Sequence, residues 1–181
     1  FSSLMVWGLM FIRIFFMLLL NPFMGSRAVP GRARVALSMV MALFLYYAIQ
    51  PVVPDDFDYS FFNVVALFFK EAFLGFAIGF ITSIIFYAIE AAGRIIDLQR
   101  GGANAQTFVP QLGQVSIFGL FLFWLGIAVF LEIGGHRQFL QAFFGSFQAI
   151  PLLEFPKIQT GFSAFIDFFI VLSSSVLLIA I

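Results

Sequence analysis

Three charged residues interrupt apolar segments of the chain, and their chemistry depends on the partners they find. Arg13 lies in the first apolar segment, and Lys70 and Glu71 lie in the third. On insertion scales a charged side chain at mid-bilayer costs about 2.5–3.5 kcal/mol, so each group needs a partner or water. Arg13 is the candidate partner of Glu71. Adjacent helical residues point about 100° apart, so Lys70 is poorly placed to pair with Glu71.

Several roles are open to Glu71. The interpretation that we favour is a structural ion pair, within the chain or between subunits, that supports helix packing. An alternative is a proton-relay carboxylate. A further alternative places this region near a membrane interface, where the side chains of Lys70 and Glu71 reach water along their apolar stems.

A second group of charges follows helical spacing. Glu90, Arg94 and Asp97 stand at i, i+4 and i+7 and form one stripe of alternating sign. Arg100 lies in the last turn, and two glycines follow it as helix terminators. This pattern is typical of a solvated helix end. It predicts an irregular loop over residues 101–116, between two apolar helices.

That loop is uncharged, with three glycines, one proline and several amides. Irregular backbone at membrane depth is tolerated only inside protein or along a water-filled cavity. The loop could line or close such a cavity, although composition alone favours an ordinary interhelical loop in water.

The third segment also contains two glycines at helical spacing. Gly75 and Gly79 share one helix face, and Ala72 and Ser83 extend this stripe of small residues. Such a stripe allows close approach of another helix. Internal packing and a subunit interface are equally compatible with it.

The remaining polar residues give no sign of an enzyme. The chain has no cysteine and one histidine, His136, with only Glu132 nearby in sequence, so we predict no metal site. No hydrolase, P-loop or zinc-protease motif occurs. We therefore predict no catalytic residue and no cofactor. The net charge of zero argues against nucleic-acid binding, which needs a basic face.

The elements that position these residues are apolar helices. Hydrophobic residues make up 62% of the 181-residue chain and charged residues 10%, against about 45–50% and 25% in soluble domains. This predicts an all-α, membrane-type protein whose surface is covered by lipid or by a hydrophobic partner. The apolar stretches cover residues 1–20, 33–49, 60–99, 115–133 and 138–150, and a last one begins near residue 160.

Two of these stretches do not fit a bilayer core of about 30 Å, which needs about 20 helical residues. Residues 60–99 either form one long helix or fold back near residues 75–82. Residues 138–150 are short, as expected for a half-span or one arm of a hairpin. Because the chain begins at Phe1 and ends within an apolar run, we expect it to be a fragment, truncated at the C-terminus.

Loop charges predict the orientation of the first segments. Residues 21–34 hold three arginines and no acid, and residues 51–60 hold three aspartates and no base. Short basic loops stay cytoplasmic, so the first loop should lie inside and the second outside. Arg94 and Arg100 would lie inside again.

Four groups of residues follow one another in a defined order: Arg13-Ile14, Pro22-Phe23 and residues 29–35; Lys70-Glu71, Gly75 and Gly79-Phe80; Ala92-Gly93 and residues 96–101; and Gly134-Gly135-His136, Ser146-Phe147 and Pro151. Together they resemble the T-type subunit of type III secretion export gates, also called SctT, and its flagellar relative FliR. Residues 97–101 are more similar to the injectisome form, and Phe108-Val109-Pro110 to the flagellar form. The family's later helical hairpin and Arg-x-x-Pro-Gln region do not occur here.

The resemblance implies one helical export-gate domain over residues 1–181, built of bent helical hairpins. Its partners would be R-type and S-type subunits (SctR/FliP-like and SctS/FliQ-like) and other components of the export apparatus. The assembly would form a pore for unfolded secreted proteins in the bacterial inner membrane, contacting lipid and partly raised into the periplasm. Residues 100–116 would form a plug, with Phe108 as its apolar stopper. The implied plug residues are Arg100, Gly101, Gly102, Asn104, Gln106, Phe108, Val109, Pro110 and Gln111.

Two other classes of protein remain as alternatives. A secondary transporter or small-solute channel would use Glu71 as its coupling carboxylate, although the two halves of the chain show no clear repeat. A membrane-embedded enzyme would need a convergent polar site, which the sequence does not show.

Overall fold

A computed structural model describes residues 2–24, 29–51, 54, 57–100, 106–109, 113–154, 166 and 170. Helices dominate these residues, which confirms the all-α, membrane-type fold, and a two-stranded hairpin is added to them. The elements are α1 (Ser2–Leu20), α2 (Gly31–Ile49), α3 (Phe61–Gln99), β1 (Gln106–Val109), β2 (Gly113–Ser116), α4 (Ile117–Glu132) and α5 (Gly135–Ala149). The apolar stretch predicted from residue 160 lies outside the described residues, apart from positions 166 and 170.

The third segment forms one unbroken helix, α3, of 39 residues. At about 1.5 Å per residue it is about 58 Å long. The alternative in which it folds back near residues 75–82 is therefore wrong. Gly75 and Gly79 lie within this continuous helix and face α1. Their role is to let α1 approach closely, and they do not form a turn.

The N-terminal part of α3 packs in parallel against α1. Gly8 lies beside Phe68, and further along the two helices Gly79 lies beside Met17. One face of α1 is almost completely buried in this contact and in the contact with α2. Its core residues are Met5, Val6, Leu9, Met10, Ile14, Met17 and Leu18.

The C-terminal part of α3 packs against α4, which runs in the opposite direction. Gly93 of α3 meets Gly119 near the start of α4, and Phe86 contacts Phe130 near its end, with ring centroids 5.4 Å apart. The chain then bends by 74° between α4 and α5. Gly134, at this bend, has a φ of 77°, a left-handed conformation that glycine adopts without strain.

Helix α5 buries three phenylalanines, Phe139, Phe143 and Phe147, in the same core as α1. It begins at Gly135, three residues before the predicted start of the fifth segment. It is the second half of a bent helix pair.

Within the described residues, α1, α2 and α3 are long and apolar enough to cross a membrane, and the bent pair α4–α5 would make a fourth span if counted as one. Large apolar side chains are exposed on α2, α3 and α4, Phe62 by 84% and Phe69 by 73%. Water is a poor environment for such a surface. The chain is therefore a membrane protein.

The stretch predicted as an irregular loop contains an antiparallel hairpin. Strand β1 pairs with β2 in a register that places Gln106 opposite Ser116 and Val109 opposite Gly113. The prediction of irregular structure is wrong for these eight positions. Thr107, Phe108, Val109 and Val115 have side chains that favour strands, and pairing satisfies backbone groups that an irregular loop would leave open.

Candidate functional site

The core of the bundle contains a buried ion pair. Both Arg13 and Glu71 are 0% exposed. The Nη2 of Arg13 donates to Oε1 of Glu71 at 2.9 Å, and its Nε donates to Oε2. This two-pronged geometry matches the planar guanidinium to the carboxylate and satisfies both carboxylate oxygens. The structure thus brings together the two residues that sequence reasoning paired, and it does so within one chain.

Lys70 joins this pair, and the prediction that it would pair poorly with Glu71 is wrong. Its Nζ lies 3.0 Å from Oε1 of Glu71. The two Cα–Cβ bonds do point in different directions, but the four-carbon stem of lysine is long and flexible enough to bring Nζ back to the carboxylate. The Lys70 side chain is only 8% exposed, so it does not reach water as the snorkelling alternative requires.

The same two cations hold the C-terminal end of α5. Arg13 donates to the carbonyl oxygens of Ser146 and Ile150, at 3.1 and 3.0 Å. The guanidinium also lies 4.2 Å from the ring centroid of Phe147. The Ser146 carbonyl also accepts from the Ile150 amide, so Arg13 is its second donor. Carbonyls at the C-terminal end of a helix carry partial negative charge, and cations are favoured there.

Lys70 continues this capping beyond the helix. Its Nζ donates to the carbonyl oxygens of Pro151, Leu152 and Glu154 at 2.8, 2.9 and 2.9 Å. We call Arg13, Lys70 and Glu71 the charge cluster. The charge cluster therefore joins α1, α3 and the end of α5. Removing one partner of a buried pair costs about 3–5 kcal/mol, so this junction is a strong constraint on the fold.

Gly75 and Gly79 lie beside the charge cluster and face α1 of the same chain. A Cβ added at Gly75 would collide with the backbone oxygen of Arg13, and one at Gly79 would lie 2.6 Å from that of Met17. Of the two alternatives for this stripe, the structure places the glycines in internal packing. Their absent side chains let α1 approach closely enough for Arg13 to reach Glu71.

The predicted charged stripe on α3 divides into two parts. Glu90 and Arg94 form an i, i+4 ion pair in which the Arg94 side chain is 57% exposed. Asp97 instead accepts hydrogen bonds from the Ser116 hydroxyl and, at 3.1 Å, from the Phe118 amide. It therefore caps the start of α4 and is not one member of a solvated row.

This capping fixes one end of the hairpin. The Ser116 hydroxyl accepts from the Gly119 amide at 2.9 Å, so Ser116 is both the last residue of β2 and the N-cap of α4. Arg100, at the end of α3, places its guanidinium 4.4 Å from the ring centroid of Phe118. The hairpin is thus attached to the α3–α4 junction through its second strand.

The chain is similar in sequence to known proteins. The sequence profile of bacterial export proteins, family 1, matches residues 4–181. The chain belongs to this family. Among its curated relatives, Yop proteins translocation protein T of Yersinia pestis is 38% identical over 144 residues, 77% of this chain and 52% of that protein.

Flagellar members of the family are similar as well. The flagellar biosynthetic protein FliR of Aquifex aeolicus is 31% identical over 163 residues, 89% of this chain and 62% of that protein. The secretion system apparatus protein SsaT of Salmonella typhimurium is 28% identical over 149 residues, 78% of this chain and 55% of that protein. The chain spans between half and two thirds of the length of these relatives.

The plug residues implied by the family resemblance lie partly in the described structure. Arg100 ends α3, and Gln106, Phe108 and Val109 belong to β1. Gly101, Gly102, Asn104, Pro110 and Gln111 lie outside the described residues. No group of three or more histidine, cysteine, aspartate or glutamate residues that could hold a metal ion occurs in the described part of the chain.

Sequence reasoning missed two components of these sites. The carbonyls of residues 146–154 could not be found, because every residue carries a carbonyl and only the fold decides which ones meet a cation. Ser116 had a usable signal, since a serine directly before an apolar helical run is a typical N-cap.

Proposed function

We propose that this chain is part of the protein export gate of a type III secretion or flagellar apparatus, in the bacterial inner membrane. Its family membership over residues 4–181 carries the proposal. One relative is named for the translocation of Yop proteins and another for flagellar biosynthesis. Unfolded secreted proteins are the substrates that fit such a gate.

The exposed surface supports assembly with other subunits. Helix α3 is about 58 Å long, whereas the hydrocarbon core of a bilayer is about 30 Å thick. Even a tilt of about 40°, the upper end of the usual range, leaves α3 extending beyond the hydrocarbon core. R-type and S-type subunits with apolar helices would cover the remainder, in an assembly partly raised from the bilayer into the periplasm.

The hairpin is the proposed closure of the pore. Strand β2 continues directly into α4, where Asp97 and Ser116 fix its end. This attachment would hold residues 100–116 at a constant position while the tip of the hairpin occupies the pore. The apolar Phe108 of β1 is the proposed stopper.

The charge cluster supports a structural role for Glu71. The carboxylate is fully buried and contacts two cations, so its charge is already compensated inside the chain. A coupling carboxylate of a transporter would need access to the transported ion. The proposed work of this protein is assembly and gating, without covalent chemistry.

Co-purification tests this proposal. The full-length protein is tagged, extracted from its native membrane in mild detergent and examined by mass spectrometry. We expect R-type and S-type export subunits in one large complex. A monodisperse protein without them would contradict the proposal and favour the transporter alternative, for which the ion dependence of a Glu71→Gln variant would then be measured.

A further inference from the structure

Between Phe69 and Tyr87, helix α3 is exposed along one narrow side. The other residues of this stretch are buried or partly buried. The exposed residues, which we call the aromatic seam, are Phe69, Phe73, Phe76, Phe80, Ile84 and Tyr87. Their exposed fractions range from 44% to 73%. At 100° per residue they fall within about 80° of one another around the helix axis, over about 27 Å of its length.

Elements of the same chain occupy both flanks of the aromatic seam. Gly79, one position before Phe80, packs against α1. Lys70, one position after Phe69, binds carbonyls of residues 151–154. Because neighbouring helical residues point about 100° apart, these two contacts lie on opposite sides of the seam. The fold therefore leaves one narrow strip of α3 free for a partner.

The spacing of the seam is that of a coiled-coil contact. Phe69 and Phe76 are seven residues apart. Phe73, Phe80 and Tyr87 also follow one another at intervals of seven. A narrow apolar stripe on two such heptad positions is typical of a helix that packs against one other helix. Helix α2, by contrast, exposes large apolar side chains over most of its circumference.

The shape of the seam indicates which kind of helix fits it. The rings of Phe76 and Phe80 stack with their centroids 5.9 Å apart, so the seam is a ridge of bulky side chains. Such a ridge packs closely against a helix whose side chains are small. The same chain shows this principle, because α1 approaches α3 where Gly75 and Gly79 leave space. A second copy of the seam would place ring against ring and offers no such space.

The seam is large enough to carry most of one side of an interface. With about 150–250 Å² for each large aromatic side chain, its exposed area amounts to roughly 600 Å². A standard interface between two proteins buries about 800 Å² on each partner. A single helix along the seam would therefore supply most of the contact that a stable complex needs.

We propose that the aromatic seam binds one apolar helix of another export-gate subunit, with glycine, alanine or serine at the positions that face its rings. This inference rests on the proposed function. In the assembled gate this helix, and not lipid, covers the exposed rings of α3.

Photo-crosslinking tests the proposal. Benzoylphenylalanine replaces Phe73 or Phe80 in the full-length protein, which is assembled in its native membrane, and mass spectrometry identifies the products. We expect both positions to link to one helix of the same R-type or S-type subunit, at sites about two turns apart. Position 68 is the matched control, because Phe68 lies beside Gly8 of α1 and its replacement should link only within the chain.

Other products at positions 73 and 80 would overturn the proposal. Links to lipid would show that the seam faces the bilayer, and links to a second copy would show self-association. Links to another part of the same chain would show an internal contact. Links of the two positions to different subunits, or no link at all, would also contradict binding of one helix.

Alanine substitution provides the second readout. Phe76→Ala and Phe80→Ala together remove rings that are 44% and 49% exposed, so thermal unfolding of the purified full-length protein in detergent should change little. In the assembled gate the same rings would be buried, and we expect recovery of the linked subunit to fall at least about tenfold. Unchanged recovery would contradict the proposal.

Recovery of the R-type and S-type subunits with the unaltered protein distinguishes failure of this proposal from failure of the proposed function. If these subunits are recovered but positions 73 and 80 link to neither, the assignment of the seam alone is wrong. If the subunits are absent, the export-gate function fails, and the assignment fails with it.

Discussion

Glu71 is the residue on which the packing of three helices depends. Its carboxylate binds Arg13 of α1 and lies 3.0 Å from Nζ of Lys70. Arg13 in turn binds carbonyls at the end of α5, and Lys70 binds carbonyls of the segment that follows α5. Two positive charges and one negative charge are thus buried together with the partially negative end of a helix. This balance explains how an apolar core can hold ionised side chains.

Replacement of Glu71 by glutamine should disrupt this balance. The variant leaves two buried cations without their counter-charge, so we expect the free energy of unfolding in detergent to fall by about 3–5 kcal/mol. Glu90→Gln is the matched control, because its partner Arg94 is largely exposed and such pairs contribute about 0–1 kcal/mol. Denaturant titration of both variants measures the difference. Equal decreases in the free energy of unfolding would contradict the prediction, because the buried charge cluster would then contribute no more to stability than an exposed ion pair.

Replacement of Lys70 by methionine should act more locally. The Arg13–Glu71 pair stays intact, but the carbonyls of Pro151, Leu152 and Glu154 lose their shared donor. We expect faster hydrogen exchange of the amides at 152–154, with α1 little changed. Arg94→Met serves as control and should leave this region protected. Unchanged exchange at 152–154 would mean that Lys70 does not hold the segment.

At the scale of elements, close helix contacts depend on three glycines of α3. Gly75 and Gly79 allow α1 to approach, and Gly93 allows α4 to approach. The continuous helix α3 therefore packs against α1 with its N-terminal part and against α4 with its C-terminal part. The bent pair α4–α5 returns along it, with the bend near the C-terminal end of α1.

Alanine at Gly75 should therefore destabilise the chain, because its Cβ would overlap the backbone of Arg13. We expect a loss of about 1–3 kcal/mol, as for other overpacked cores. Gly145→Ala in α5 is the control, since nothing lies within 4 Å of its added Cβ, and helix propensity should stabilise that variant by about 0.5–1 kcal/mol. Thermal unfolding of both variants in the same detergent provides the measurement, and a neutral Gly75→Ala would contradict the close contact.

Much of the element order could be predicted from the sequence, since the runs of apolar residues between polar breaks match α1, α2 and α4 closely. The unbroken α3 could not be predicted, because Gly75 and Gly79 are compatible with a turn and with a helix contact. The hairpin could not be predicted, because glycines and amides, which are typical of a loop, surround the strand-favouring Thr107 to Val109 and Val115. Helical spacing assigns Asp97 to a charged stripe, because it does not reveal that the start of α4 returns to this carboxylate.

At the scale of the whole molecule, α3 connects two levels. Its N-terminal half shares one hydrophobic core with α1, α2 and α5, about as thick as a bilayer core. Its C-terminal half packs against α4 and leads to the hairpin. The charge cluster stabilises the first level, and the Asp97–Ser116 cap fixes the hairpin at the second. The proposed gate would use the first level for assembly and the second for closure.

Deletion of residues 102–111 in the full-length protein tests most directly whether this chain closes a pore that it helps to form. The variant is expressed with the complete apparatus, recovery of the R-type and S-type subunits verifies assembly, and entry of small solutes across the inner membrane is measured. The account predicts an assembled complex that leaks, whereas the unaltered chain stays closed. An assembled complex with unchanged permeability would contradict it.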